Sequence, residues 1–107
     1  MSNILAVTQS KNGRSIRLTY ERWSHILESH DYMAGNLNIL LDTIENPDYI
    51  VRGNKGELLA VKYHEKTNIS SKYAVVVYKE NDSNFILTAF FTSDLNRVLK
   101  KGIIWQK

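Results

Sequence analysis

A chain of 107 residues with 43% hydrophobic and 23% charged side chains is long enough to build one domain around its own core. It has no cysteine, which excludes disulfides, a thiolate nucleophile and cysteine–zinc clusters. Its formal charge of +3 is unevenly spread: residues 1–18 hold Lys11, Arg14 and Arg17 with no acid, and residues 94–107 hold Arg97, Lys100, Lys101 and Lys107 against Asp94 alone.

If those two ends meet, they form a basic face that attracts phosphate backbones; if not, they are a solvated surface. No apolar run approaches the ~20 residues of a membrane helix. The N-terminal residues lack the apolar core of a signal peptide. The lack of cysteine suits the cytosol. A single cytoplasmic domain over 1–107 is therefore expected, with no membrane partner.

In chain order, Ile4–Val7 is a short apolar run with edge-strand character, and Gln9–Ser15 reads as a turn. Ile16–Leu18 either completes a hairpin or leads into a helix. Thr19 is an N-cap candidate, and Glu21 then sits in the first turn, where the helix dipole favours a carboxylate. Tyr20, Trp23, Ile26, Leu27 and His30 follow helical spacing. Asp31–Asn36 breaks the pattern, and Leu37–Asn46 resumes it with Leu37, Leu40, Leu41 and Ile44 on one side. Pro47 ends this helix, because the residue before a proline is pushed out of the helical region.

From Pro47 the period changes to two. Tyr49–Arg52 is a strand, Asn54-Lys55-Gly56 a hairpin turn, and Leu58–His64 a second strand. Glu65–Ser71 is a polar loop. Tyr73–Tyr78 is a third strand, whose apolar centre Ala74–Val77 argues for a central position. Asn81–Asn84 is a turn, and Phe85–Thr92 is the fourth strand. Ser93 or Asp94 caps a short helix through Lys101, Gly102 closes it, and Ile103–Trp105 has the character of a returning edge strand. Helices followed by a meander predict an α+β fold, with N-terminal helices packed on one face of a four-to-five-stranded antiparallel sheet.

The chemistry-bearing residues are few. His25 and His30 are five apart, which projects them about 140° apart on a helix. They lack the four-residue spacing of a helical metal pair, so no metal or other cofactor is expected. Histidine takes and gives protons near neutral pH. On the second strand Lys62 and His64 share a side with Ala60, and Tyr63 shares the other with Leu59 and Val61. On the fourth, plain alternation puts Ile86, Thr88, Phe90 and Thr92 on one side and Phe85, Leu87, Ala89 and Phe91 on the other. A lysine on a sheet face can neutralise a phosphate, and a hydroxyl can donate to it. Each residue also has a plain structural reading: a solvated strand charge for Lys62, β-propensity for Thr88 and Thr92, and a helix-terminal packing residue for His30. Metal-independent RNA cleavage needs a base for the 2′-hydroxyl, a donor for the phosphorane and an acid for the 5′-oxygen. Two histidines, or a histidine and a lysine, suffice.

The runs IRLTYERWSHILESH (Ile16–His30), TIENPDYIV (Thr43–Val51), YAVVVYK (Tyr73–Lys79) and NFILTAFFT (Asn84–Thr92) resemble the phage-associated barnase–EndoU–colicin–RelE-like nuclease superfamily. There a helix with an "HI…H" pattern precedes a "P-D-x-I" strand entry, and a meander closes on an "I-x-T-A-[YF]" strand. The resemblance runs from about Ile16 to Phe91. It implies metal-independent ribonuclease activity on tRNA or mRNA, with His25 and His30 matching the two histidines and Thr88 the strand threonine. In many relatives a basic residue and a proline flank the second histidine; here Ser29 and Asp31 do.

The expected function is therefore a metal-independent endoribonuclease. Its catalytic candidates are His25, as the general base or acid, with His30, Lys62 and Thr88. Arg17, Arg52, Tyr63 and Thr92 are the candidates for substrate binding. The chain starts with its own methionine, which suits a small toxin with a separately encoded antitoxin or immunity protein as partner. The rivals are a non-catalytic RNA- or protein-binding relative and a ribosome-dependent mRNA interferase.

Overall fold

The computed structural model describes residues 3–81 and 83–107. A hairpin of β1 (Ile4–Gln9) and β2 (Ser15–Thr19) opens the chain. Helix α1 (Tyr20–Ser29), a 3₁₀ turn (Asp31–Met33) and α2 (Leu37–Glu45) follow. Strands β3 (Tyr49–Arg52), β4 (Leu58–His64), β5 (Lys72–Glu80) and β6 (Asn84–Thr92) form a meander, and α3 (Leu95–Leu99) and β7 (Ile103–Gln106) end the chain. The strand order is β1-β2-β6-β5-β4-β3-β7. Every neighbouring pair is antiparallel except β2 and β6, which run parallel and register at Arg17 opposite Phe85.

This corrects the expected four-to-five-stranded antiparallel sheet behind N-terminal helices. The described residues form a seven-stranded mixed sheet with three α-helices, and a hairpin precedes the first of them. The extra strands are the short candidates at Ile4–Val7, Ile16–Leu18 and Ile103–Trp105, and at four to six residues each they carry too little alternation to be counted into the sheet. In β2 the signal is three residues: Ile16 and Leu18 are fully buried and Arg17 between them is exposed. Helices α1 and α2 pack on one face, and α3 inserts Val98 on the other among Val51, Leu59, Val61 and Val75.

Local signals set the helix ends. Thr19 is extended (φ −86°, ψ 158°), and its hydroxyl accepts the Arg22 N–H at 3.1 Å, capping α1 as expected. Asn46 leaves the helical region ahead of Pro47 and ends α2. Asp94 caps α3 through the Arg97 N–H at 3.1 Å. The α-helix there stops at Leu99 rather than Lys101, and Gly102 (φ +123°) redirects the chain into β7. Asp82, within the expected Asn81–Asn84 turn, lies outside the described residues.

The main core lies between α1, α2 and the sheet. Helix α2 buries Leu40, Thr43 and Ile44, whereas α1 buries only Ile26. A buried Leu or Ile is worth about 1.5–3 kcal/mol over an exposed one, so α2 anchors the layer and α1 is held more lightly. Strand β5 is the centre of the sheet, as its apolar run implies, and it is covered on both faces. The sheet wraps around the helices far enough that Lys11, in the β1–β2 turn, lies 4.9 Å over the ring of Trp105 in β7. That is where the two basic ends of the sequence approach each other.

A bulge in β6 changes the expected sides. The register shifts between the partners of Val77 and Tyr78, leaving Leu87 as the extra residue. Past it the alternation inverts. Ile86, Ala89 and Phe91 therefore point towards the helices, and Phe85, Thr88, Phe90 and Thr92 share the opposite, more open face. Plain alternation had grouped Ile86 with Thr88 and Phe90.

Candidate active site

A polar cluster forms where α1 ends, at the stretch of β6 beyond its registered pair with β2. His30 leaves helical geometry (φ −140°, ψ 73°) while its N–H still bonds the Ile26 carbonyl at 2.7 Å. The following 3₁₀ turn buries Met33 and projects Tyr32 onto β6. The Tyr32 ring stacks on Phe91 at 5.4 Å. Its hydroxyl accepts the Phe91 N–H at 3.2 Å and lies 3.2 Å from Nδ1 of His30. The His30 ring sits 5.6 Å from the Tyr32 ring and 5.9 Å from that of Phe90.

The turn is tied down by Asn36, just ahead of α2, and by Asn68 in the loop between β4 and β5. The Tyr32 carbonyl accepts Nδ2 of buried Asn36 at 2.8 Å and Nδ2 of Asn68 at 2.9 Å, and Asn36 also bonds Asn68 at 2.8 Å. The imidazole thus has one nitrogen, Nδ1, fixed by a rigid hydroxyl. Among the described residues no group bonds Nε2. A histidine held through one nitrogen and free at the other is the arrangement that proton transfer requires.

Thr88 and Thr92 flank Phe90 on its side of β6, and of these three side chains it is Phe90 that meets the His30 ring. Thr92 Oγ1 accepts the Asp94 N–H at 3.0 Å. Tyr63 is 46% exposed on the same face of the sheet and meets Tyr73 edge-on at 5.2 Å. Beside Phe90 a groove of about 610 Å³ runs between α3 and the β3–β4 turn.

The other expected site residues lie elsewhere. His25 is exposed on α1 without a hydrogen bond, ion pair or ring contact among the described residues. Arg17 lies 5.9 Å over Phe85, at the opposite end of β6 from Phe90, and bonds the Asn84 carbonyl at 3.3 Å. Arg52 ends β3 opposite Leu58, and its N–H bonds the Gly102 carbonyl at 2.8 Å. Lys62 points to the helix side, where it pairs with Asp42 at 2.5 Å.

Beside that pair, Thr43 donates its single hydroxyl proton to the Ile39 carbonyl at 2.7 Å. It must therefore accept from Nε2–H of His64 at 3.0 Å, which makes Nε2 the protonated nitrogen when the ring is neutral. Burial, helped by the Lys62 cation, holds the His64 imidazole below its usual range, against the opposing pull of Asp42 and Asp48. Asp42 is pushed up by burial, but its bonds from Lys62 and Asn46 outweigh this and leave it below the usual carboxylate value.

Tyr32, Asn36, Asn68 and Phe90 are the site residues that sequence reasoning passed over. Asn36 carried only a turn-former's signal, and nothing local marks Asn68 as its partner 32 positions on. Among the described residues no group of three His, Cys, Asp or Glu side chains could hold a metal ion, and no helix is long and apolar enough to cross a membrane. The chain matches no protein-family model, no curated protein and no solved structure.

Proposed function

We propose that this protein is a metal-independent endoribonuclease that works on the open face of its sheet, with His30 as the acid–base group. The observation that carries the reading is the His30 imidazole, bonded at Nδ1 by Tyr32, packed on Phe90 and unbonded at Nε2. In the reaction Nε2 takes the proton of a ribose 2′-hydroxyl. The 2′-oxygen then bonds phosphorus and the bond from phosphorus to the 5′-oxygen breaks. The imidazolium returns its proton to the departing 5′-oxygen, leaving a 2′,3′-cyclic phosphate. In this reading Thr88 and Thr92 donate to the phosphorane oxygens.

The resemblance of Ile16–His30 and Asn84–Thr92 to the barnase–EndoU–colicin–RelE-like nucleases supports the same reading. In it the second histidine of the motif carries the chemistry, and a toxin's antitoxin covers the open face. The test is incubation of purified protein with tRNA and mRNA in EDTA. Discrete fragments ending in cyclic phosphate are expected. Intact RNA in the presence of folded protein overturns the reading.

A further inference from the structure

The groove beside Phe90 has the composition of a nucleotide site. Its floor is apolar, made by Leu59, Val77, Phe90 and Val98. Its rims are cationic: Lys55 stands on the β3–β4 turn, and Arg97 and Lys101 stand on and just after α3, all three exposed. Two carboxylates also line it, and each faces backbone. Asp94 accepts the Arg97 N–H at 3.1 Å, and Glu57 accepts the Lys55 N–H at 2.5 Å, which holds the Glu57 carboxyl below its usual value. Counting formal charges, the three cations outnumber the two carboxylates and leave the lining at +1, over a floor that can take the face of a base.

The groove is joined to the candidate active site along β6. Phe90 touches the His30 ring at 5.9 Å and lines the groove. Thr92, two residues on along the same side of β6, lines it too. A strand of nucleic acid whose phosphate lies at His30 has its neighbouring nucleotide directed over Phe90 into this space.

We infer that the groove between α3 and the β3–β4 turn binds one nucleotide of single-stranded RNA, its base on the Phe90–Val98 floor and its phosphate on Arg97, Lys101 and Lys55. The inference deepens the nuclease reading and rests on it for the identity of the ligand. Aromatic stacking supplies sequence-tolerant affinity, and the cations make it salt-dependent.

The test uses a fluorescein-labelled 2′-O-methyl RNA octamer, which lacks the 2′-hydroxyl nucleophile and stays whole whatever the protein's activity. Binding is read by anisotropy for the wild type, for Arg97→Ala/Lys101→Ala, and for the charge-matched control Lys66→Ala/Lys107→Ala outside the groove. The groove variant is expected to bind about fivefold or more weakly, with a salt slope shallower by about 0.7 per lost phosphate contact. The control is expected to bind like the wild type. Phe90→Leu, which keeps an apolar floor, is expected to lose about fivefold or more by removing the stacking face.

Equal affinity for the groove variant and the control overturns the inference, as does loss of affinity in both alike. A parallel incubation with unmodified RNA separates the two readings. Intact RNA with binding still lost in the groove variant sinks cleavage alone. Cleavage with binding unchanged in the groove variant sinks the groove alone.

Discussion

The hydroxyl of Tyr32 is shared between Nδ1 of His30 and the backbone N–H of Phe91, each at 3.2 Å. The histidine is therefore aligned through a group that is itself fixed to a strand. Tyr32→Phe keeps the ring stack on Phe91 and removes both bonds. It is expected to cost about 1 kcal/mol of stability and about fivefold in kcat on RNA, with KM unchanged. A merely structural role would leave the pH–rate profile in place. A shift of its imidazole limb in Tyr32→Phe is the signature of positioning, and an unmoved limb counts against it.

His30 and His25 are distinguished by their surroundings, since one is bonded and packed and the other stands in solvent. His30→Ala is expected to lower the cleavage rate by about 10²–10⁴-fold, the usual worth of a positioned acid–base group. His25→Ala is expected to cleave like the wild type. Rates per folded molecule, with folding checked by circular dichroism, decide it. The reverse ranking would move the chemistry to α1.

Lys62 points away from the open face, so Lys62→Met is expected to leave cleavage unchanged. Its ion pair with Asp42 is only partly buried, with 25% and 39% of the two side chains exposed. Screening limits such a pair to about 0.2–1 kcal/mol. Urea unfolding gives the stability term, and a cleavage defect in this variant would return Lys62 to the site.

The helix-side cluster makes stability fall with acid in two separate windows. His64 has a folded-state affinity for protons below that of the unfolded chain, whose imidazole titrates at the ordinary 6.5. The unfolded state then binds more protons as pH drops, so the His64 contribution is complete above that value and is lost as pH falls below it. Asp42 is depressed from 3.8, so its contribution is constant between pH 7 and 5 and is lost only in stronger acid. The urea midpoint is therefore expected to drop from pH 7 to pH 5 in the wild type and to drop less in His64→Gln. Parallel drops would remove His64 as the cause.

Much of the meander was legible in the sequence, because each of its turns is local and each strand is long enough to alternate. The sides of Leu58–His64 and the caps at Thr19 and Asp94 follow from nearest-neighbour chemistry. The parallel joint of β2 to β6 did not, since nothing within Ser15–Thr19 names a partner near Phe85. The bulge at Leu87 was invisible for a different reason. An inserted residue leaves the composition of a strand intact and changes only which side each residue takes. The site suffered from both effects: His30 was legible as a residue type, but its bond to Tyr32 depends on a turn packing against a strand 59 positions away.

The single registered pair between β2 and β6 has a consequence in time as well as in space. Strands β3 to β6 close through short loops, while the hairpin of β1 and β2 reaches the sheet across separations such as the 68 positions between Asn12 and Glu80. Loop closure of that length is slow to be rewarded. The meander is therefore expected to condense first, with the hairpin docking onto an already formed β6. In pulse-labelled refolding the amides of Val75–Val77 are expected to gain protection before those of Ile16 and Leu18, so the last strand to join the sheet is one of the first to be synthesised.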